Sequence, residues 1–162
     1  MKLKIVLLSL LIVSSYARSA DLVDKVVVFK SERIMQLRSG EHVVREYAIS
    51  LGDRPVGHKE KEGDEKTPEG DYIIDYRNPN SSYHLSLHIS YPNEMDKQAA
   101  KAKGVSPGGM IMIHGLPNKF GWLPGLFEGR DWTDGCIAVN DNEAMEEIWE
   151  MVANGTPITI NP

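Results

Sequence analysis

Three short runs rich in β-branched residues, KVVVFK (25–30), RIMQLR (33–38) and HVVREYAIS (42–50), follow one another with gaps of only a few residues. Gaps that short leave no room for a crossover, so successive strands must pair as antiparallel hairpins. The N-terminal part of the fold is therefore a β-meander. Two further runs, YIIDYR (72–77) and YHLSLHIS (83–90), extend it. In the second, Tyr83, Leu85, Leu87 and Ile89 alternate with His84, Ser86 and His88, and a period of two puts the two sets on opposite faces.

Between these groups, residues 51–71 (LGDRPVGHKEKEGDEKTPEGD) carry charge, Gly and Pro with almost nothing apolar, the pattern of a surface loop. Its acidic run at 60–66 reads as a solvated face, with a position near a cleft left open. NEMDKQAAKAKG (93–104) predicts a short polar helix closed by Gly104. MIMIHG (110–115) predicts a buried strand ending on His114, and CIAV, from Cys136, a strand beside it. The last helix is marked by Asn140 as N-cap with Glu143 three residues on, an apolar face of Met145, Ile148, Trp149 and Val152, and Gly155 as the stop. TPITI (156–160) closes the chain as a strand. Mostly strands with one or two packed helices, residues 24–162 are expected to form a single β-rich α+β domain built on a mixed β-sheet or sandwich.

The first residues point to a destination. Lys2 and Lys4 precede an apolar run from Ile5 to Val13, then small and polar residues, the three-part pattern of a signal peptide over residues 1–20 cleaved between Ala17 and Ala20. That run is too short to span a bilayer, so the mature protein is expected to be exported, to periplasm or cell envelope, with no integral membrane segment. The chain already carries a net charge of −5, and losing the basic leader makes it more acidic, which disfavours general affinity for nucleic acid or anionic lipid.

Export makes the single cysteine informative. An oxidising compartment favours disulfides, and one thiol cannot form one internally, so Cys136 is either shielded or used. A thiol near pKa 8.5 needs a base or a positive environment to become an effective nucleophile. Of His42, His58, His84, His88 and His114, only His114 ends an apolar strand and is followed at once by glycine. Adjacent strands would bring it to Cys136. Gly135 permits close backbone approach just before the thiol, and turn chemistry there would aim N–H groups at a developing oxyanion.

IHG at 113–115 with TDGCIAV at 133–139 resembles the His and Ser/Thr-x-Gly-Cys signature of the L,D-transpeptidase (YkuD-like) catalytic domain. GDEKTPEGDY (63–72), ISYPN (89–93) and the C-terminal helix through GTPITI resemble other parts of that family. The resemblance implies that Cys136 attacks an L,D-peptide bond at the diaminopimelate position of a peptidoglycan stem peptide and releases D-alanine. An amine acceptor, or water, then resolves the thioester. It implies His114 as base and acid, Gly135 and the Cys136 N–H in the oxyanion loop, and Thr133 holding that loop.

Two positions depart from the family pattern. Asp134 stands where histidine is common, and is expected to orient His114; Ala138 stands where Arg or Asn is common, removing a contact to a substrate carboxylate. Gly115, Trp122 and Trp132 are expected to border the substrate. The loop after His114, which also carries Phe120 and Phe127, is expected to wall the cleft, with Lys119 and Arg130 facing carboxylates. No cofactor is implied. Three alternatives remain at this point: a carboxypeptidase, or an amidase freeing a wall-linked lipoprotein; a non-catalytic wall-binding module; and a metal-binding protein in which His84 and His88 act with His114 or Cys136. His42 and His58 read as solvated.

Overall fold

The computed structural model describes residues 22–162; the leader expected over residues 1–20 lies outside them. The elements in chain order are β1 (Lys25–Phe29), β2 (Ile34–Ser39), β3 (His42–Ser50), β4 (Gly70–Ser81), β5 (His84–Ile89), α1 (Glu94–Ala102), β6 (Met112–His114), β7 (Ile137–Val139), α2 (Asn142–Met151) and β8 (Pro157–Asn161). The mixed sheet closes on itself as a barrel in the order β1-β2-β3-β7-β6-β5-β4-β8. Its two parallel pairs are β1 with β8 and β6 with β7; the other neighbours are antiparallel.

Alternation along the strands fills the interior. Val26 and Val28 on β1, Met35 and Leu37 on β2, Ile74 on β4 and Leu87 and Ile89 on β5 are all fully buried. Each such side chain contributes roughly 1.5–3 kcal/mol by leaving water. Met145 and Ile148 bury the apolar stripe of α2, and Trp149 receives the Arg77 guanidinium 4.0 Å above its ring.

Both helices start on side-chain caps, but one cap differs from the sequence expectation. Asn93 and Asp96 form a reciprocal capping box at α1. At α2 the cap is Asp141, which accepts from Glu143 N–H, and not Asn140. Asn140 is occupied elsewhere: its Nδ2 donates to Ser50 Oγ at 2.8 Å and its Oδ1 accepts from Trp132 Nε1 at 3.3 Å. α2 ends at Met151, and Gly155, at φ +91°, turns the chain into β8.

Residues 51–69 run over the surface as expected, with Asp53, Arg54 and Glu60 to Gly63 exposed, but the loop is anchored from beneath, which the sequence did not show. Leu51 and Thr67 are fully buried and Lys59 is 3% exposed. The chain threads back against the end of β7, where a Cβ on Gly52 would stand 2.1 Å from Glu65 O and one on Gly135 2.5 Å from Lys66 O. Only glycine allows that approach. Lys30 Nζ anchors the loop through Gly57 O, Thr67 O and Glu69, and its burial lowers its pKa, which Glu69 partly offsets. Asp64 is the loop's hub, accepting from Lys59 Nζ and from the N–H groups of Glu60, Lys61 and Lys66. Burial alone would raise the Asp64 carboxyl, but Lys59 and these N–H groups outweigh it and hold it at about 2. His58 is likewise not a free solvated group: its Nδ1 accepts from Glu69 N–H and its Nε2 lies 3.2 Å from Asp96.

Candidate active site

β6 and β7 run parallel with His114 opposite Ala138 and Ile113 opposite Ile137. Directly opposed residues share a face of a sheet, and alternate residues along a strand share it too. Met112, His114, Cys136 and Ala138 therefore lie on one face, while Ile113 and Ile137 point into the barrel. On that same face Ser86 of β5 flanks His114, and Ser50 of β3 flanks Ala138. All four members of this row are buried. Ala138, read from sequence as a lost substrate contact, is thus also a small neighbour that leaves space beside the imidazole.

Two aromatic rings cover His114, and a third backs one of them. Tyr83 lies 4.6 Å and Trp132 5.6 Å from its ring, centroid to centroid, and Phe127 packs at a tilt against Trp132 at 4.8 Å. Burial pushes the imidazole pKa down to about 4, against a smaller upward effect of its bond to Gly115. Nδ1 stands 2.7 Å from Gly115 O. A carbonyl can only accept, so Nδ1 carries the ring proton and Nε2 of the neutral ring keeps its lone pair.

Cys136 is half-buried. Its Sγ receives Met112 N–H at 3.4 Å and donates to Met110 O at 3.6 Å. Burial raises the thiol pKa, the Met112 N–H opposes that, the Asp134 carboxylate adds to it and the Lys59 ammonium opposes it. Burial thus favours the neutral form of both the thiol and the imidazole. Thr133 ties the turn: its hydroxyl donates to Cys136 O at 2.7 Å and accepts from Gly135 N at 3.1 Å.

That last bond corrects one expectation, since the Gly135 N–H is engaged and is not an oxyanion donor. Gly135 instead serves through its backbone, at φ +124° in close contact with the charged loop. Asp134 is corrected also. It is exposed, while the His114 Nδ1 proton goes to Gly115 O, so Asp134 does not orient the imidazole.

A cavity of about 500 Å³ opens over Cys136. Trp132 and Thr133, expected at the substrate, border it, and so does Asp134. Lys59, Glu62, Gly63 and Glu65 of the charged loop, with Tyr83 and Met110, border it unexpectedly. Trp122 and Arg130 do not line it: Trp122 is 75% exposed with its Nε1 on Lys119 O, and Arg130 lines a separate cleft of about 600 Å³ against β2, β3 and the start of α2. Gly115 packs on Asn142 and His84. His84 pairs with Glu146 and His88 with Asp75, so they face different partners, and among the described residues no group of three ligating side chains is assembled. No helix among the described residues is long and apolar enough to cross a membrane.

Comparison with known proteins places this geometry among relatives. The family model for the YkuD L,D-transpeptidase catalytic domain matches residues 24–160. The Escherichia coli K12 protein named "Putative L,D-transpeptidase YafK" is 33% identical over 131 residues, covering 77% of this chain and 45% of that protein. The helical cell shape determining protein Pgp2 from Campylobacter jejuni superposes with a TM-score of 0.64 at 29% identity, over 85% of this chain and 47% of Pgp2. The catalytic domain of an Enterococcus faecium L,D-transpeptidase shares the fold at a TM-score of 0.56 and 17% identity, over 85% of this chain and 95% of that domain. The chain spans about half the length of YafK and Pgp2.

Proposed function

The chain belongs to the L,D-transpeptidase catalytic-domain family, and from that premise we propose that residues 24–162 catalyse acyl transfer on peptidoglycan stem peptides through a thioester at Cys136. The observation that carries the reading is the shared face of β6 and β7, with the His114 Nδ1 proton held by Gly115 O and the Nε2 lone pair left to accept a proton.

As a donor carbonyl enters the cavity, the Sγ proton passes to His114 Nε2 while sulfur bonds to the carbonyl carbon. Collapse of the tetrahedral adduct breaks the C–N bond, and the proton on Nε2 goes to the departing D-alanine amine. An acceptor amine then attacks the thioester, gives its proton to His114, and the thiol is restored. Burial disfavours charge on both groups, so transfer of the Sγ proton to Nε2 accompanies the attack of sulfur on the carbonyl carbon.

The cavity borders supply the substrate contacts: Trp132 and Tyr83 an aromatic wall, Lys59 a cation, and Glu62, Glu65 and Asp134 carboxylates suited to an amine acceptor. The acceptor is a second stem peptide or a wall-linked protein amine. The apolar leader directs the chain out of the cytoplasm to the wall, and the similarity to Pgp2 supports a part in setting cell shape.

Intact-mass analysis after incubation with a stem tetrapeptide tests this. The expected result is a covalent adduct in the wild type, absent in Cys136→Ala, followed by a cross-linked product when an amine is added. An adduct that yields only tripeptide in the presence of amine would make the protein a carboxypeptidase; no adduct with any stem peptide would sink the nucleophile assignment and favour a wall-binding module.

A further inference from the structure

We propose that Asn142, the first residue of α2, is a positioning residue that fixes the tautomer of His114 through a single peptide group. The inference deepens the acyl-transfer reading and rests on it for its catalytic meaning. Leu116 N–H donates to Asn142 Oδ1 at 2.9 Å, and His114 Nδ1 donates to Gly115 O at 2.7 Å. That N–H and that C=O belong to one planar peptide group, the one joining Gly115 to Leu116. Rotating it would take the carbonyl away from the imidazole and the N–H away from Asn142 together.

The side-chain amide is seated in a slot made for it. A Cβ on Gly115 would stand 2.7 Å from Asn142 Oδ1, and one on Gly121 2.7 Å from Nδ2, so two glycines on the loop after His114 make room for both ends of the amide. Its orientation is fixed because only the oxygen can accept from Leu116 N–H. The same stretch is held two residues further on by Asn118 Oδ1, which accepts from His84 N–H at 2.7 Å.

The chemical consequence is specific. An acceptor on the N–H side of a peptide polarises its C=O, and a stronger carbonyl acceptor holds the proton on Nδ1 more firmly. Nε2 then stays unprotonated and available to the thiol. His114 is buried, so its ring has few competing partners, and losing this one would let the two neutral tautomers mix.

The test is a series at position 142 read by ¹⁵N spectroscopy of the histidine rings in the resting protein and by turnover. Wild type is expected to show His114 protonated at Nδ1. Asn142→Leu, with the same branching and number of side-chain heavy atoms but without an acceptor, is expected to show averaged Nδ1 and Nε2 signals and a kcat lower by about tenfold with KM little changed, a fraction of what a general base contributes. Asn142→Asp keeps an accepting oxygen and adds charge, so the tautomer should persist and the acid limb of the pH–rate profile should move upward. Asp141→Ala, which removes the α2 cap without touching this peptide, should lower the melting temperature and leave the tautomer alone.

An unchanged tautomer in Asn142→Leu would overturn the inference, as would tautomer mixing in Asp141→Ala equal to that in Asn142→Leu. The spectrum needs no substrate. A wild-type protein that turns over no donor therefore removes the proposed function while the tautomer series still decides this inference.

Discussion

Residues 51–69 and residues 116–131 both border the segment that carries Cys136, and they are held by different forces. The first is fastened by buried charge: Lys30 holds two carbonyls and Glu69, Asp64 gathers four donors, and Gly52 and Gly135 let backbone lie against backbone. The second is fastened at its two ends, by Leu116 N–H on Asn142 and by Asp131, which pairs with Arg33 and accepts from Leu51 N–H; between them Phe127 leans on Trp132, while Phe120, Trp122 and Leu126 face outward. Charged side chains make a rigid wall when each ion finds donors and acceptors on a fixed backbone. Aromatic side chains make one only where the fold gives them something to pack against.

The sharpest way to break this contrast is Gly52→Ala. Its Cβ would meet Glu65 O at 2.1 Å and Gly135 Cα at 3.0 Å, backbone atoms that cannot rotate aside. A loss of about 3 kcal/mol or more is expected in chemical denaturation, together with faster alkylation of Cys136 as the wall lifts. Stability equal to wild type would mean that the loop is free to move away.

Asp64→Asn should act through charge. The folded carboxyl sits near 2, below its ordinary value of 3.8, so its contribution is present above about pH 4 and is lost as pH falls toward 2. The substitution should cost about 2 kcal/mol at neutral pH and flatten that part of the stability profile. A variant with an unaltered acid limb would assign the loop's rigidity to its glycines alone.

At the small end, Trp122→Ala should change stability by less than about 0.5 kcal/mol and leave turnover unchanged, because the ring is 75% exposed and away from the cavity. A large rise in KM would instead show the aromatic loop closing over substrate.

Much of the scaffold was legible in the chain. Strands 25–50 follow from β-branched runs with hairpin-length gaps, α1 from a polar run closed by Gly104 and α2 from its apolar spacing. The α2 cap shifted by one residue because Asn140 found stronger use between Ser50 and Trp132, a competition no local pattern records. The anchoring of the charged loop went unread for a related reason. Hydropathy scores Lys30, Lys59 and Asp64 as solvent groups, and their pairing partners are up to 39 residues away in the chain.

The sequence by itself determined the β-rich class, the membership carried by IHG and TDGC, and the choice of Cys136 and His114 as the groups to watch. Those are properties of residue type and local spacing. Only the tertiary structure decided which faces those residues share, that Ser86 and Ala138 flank the imidazole, that Asp134 stands apart from it, and that Asn142 grips the peptide that holds its proton. The physical reason is that tautomer, burial and charge are set by distances of a few ångströms between residues far apart in the chain, and barrel closure alone creates them.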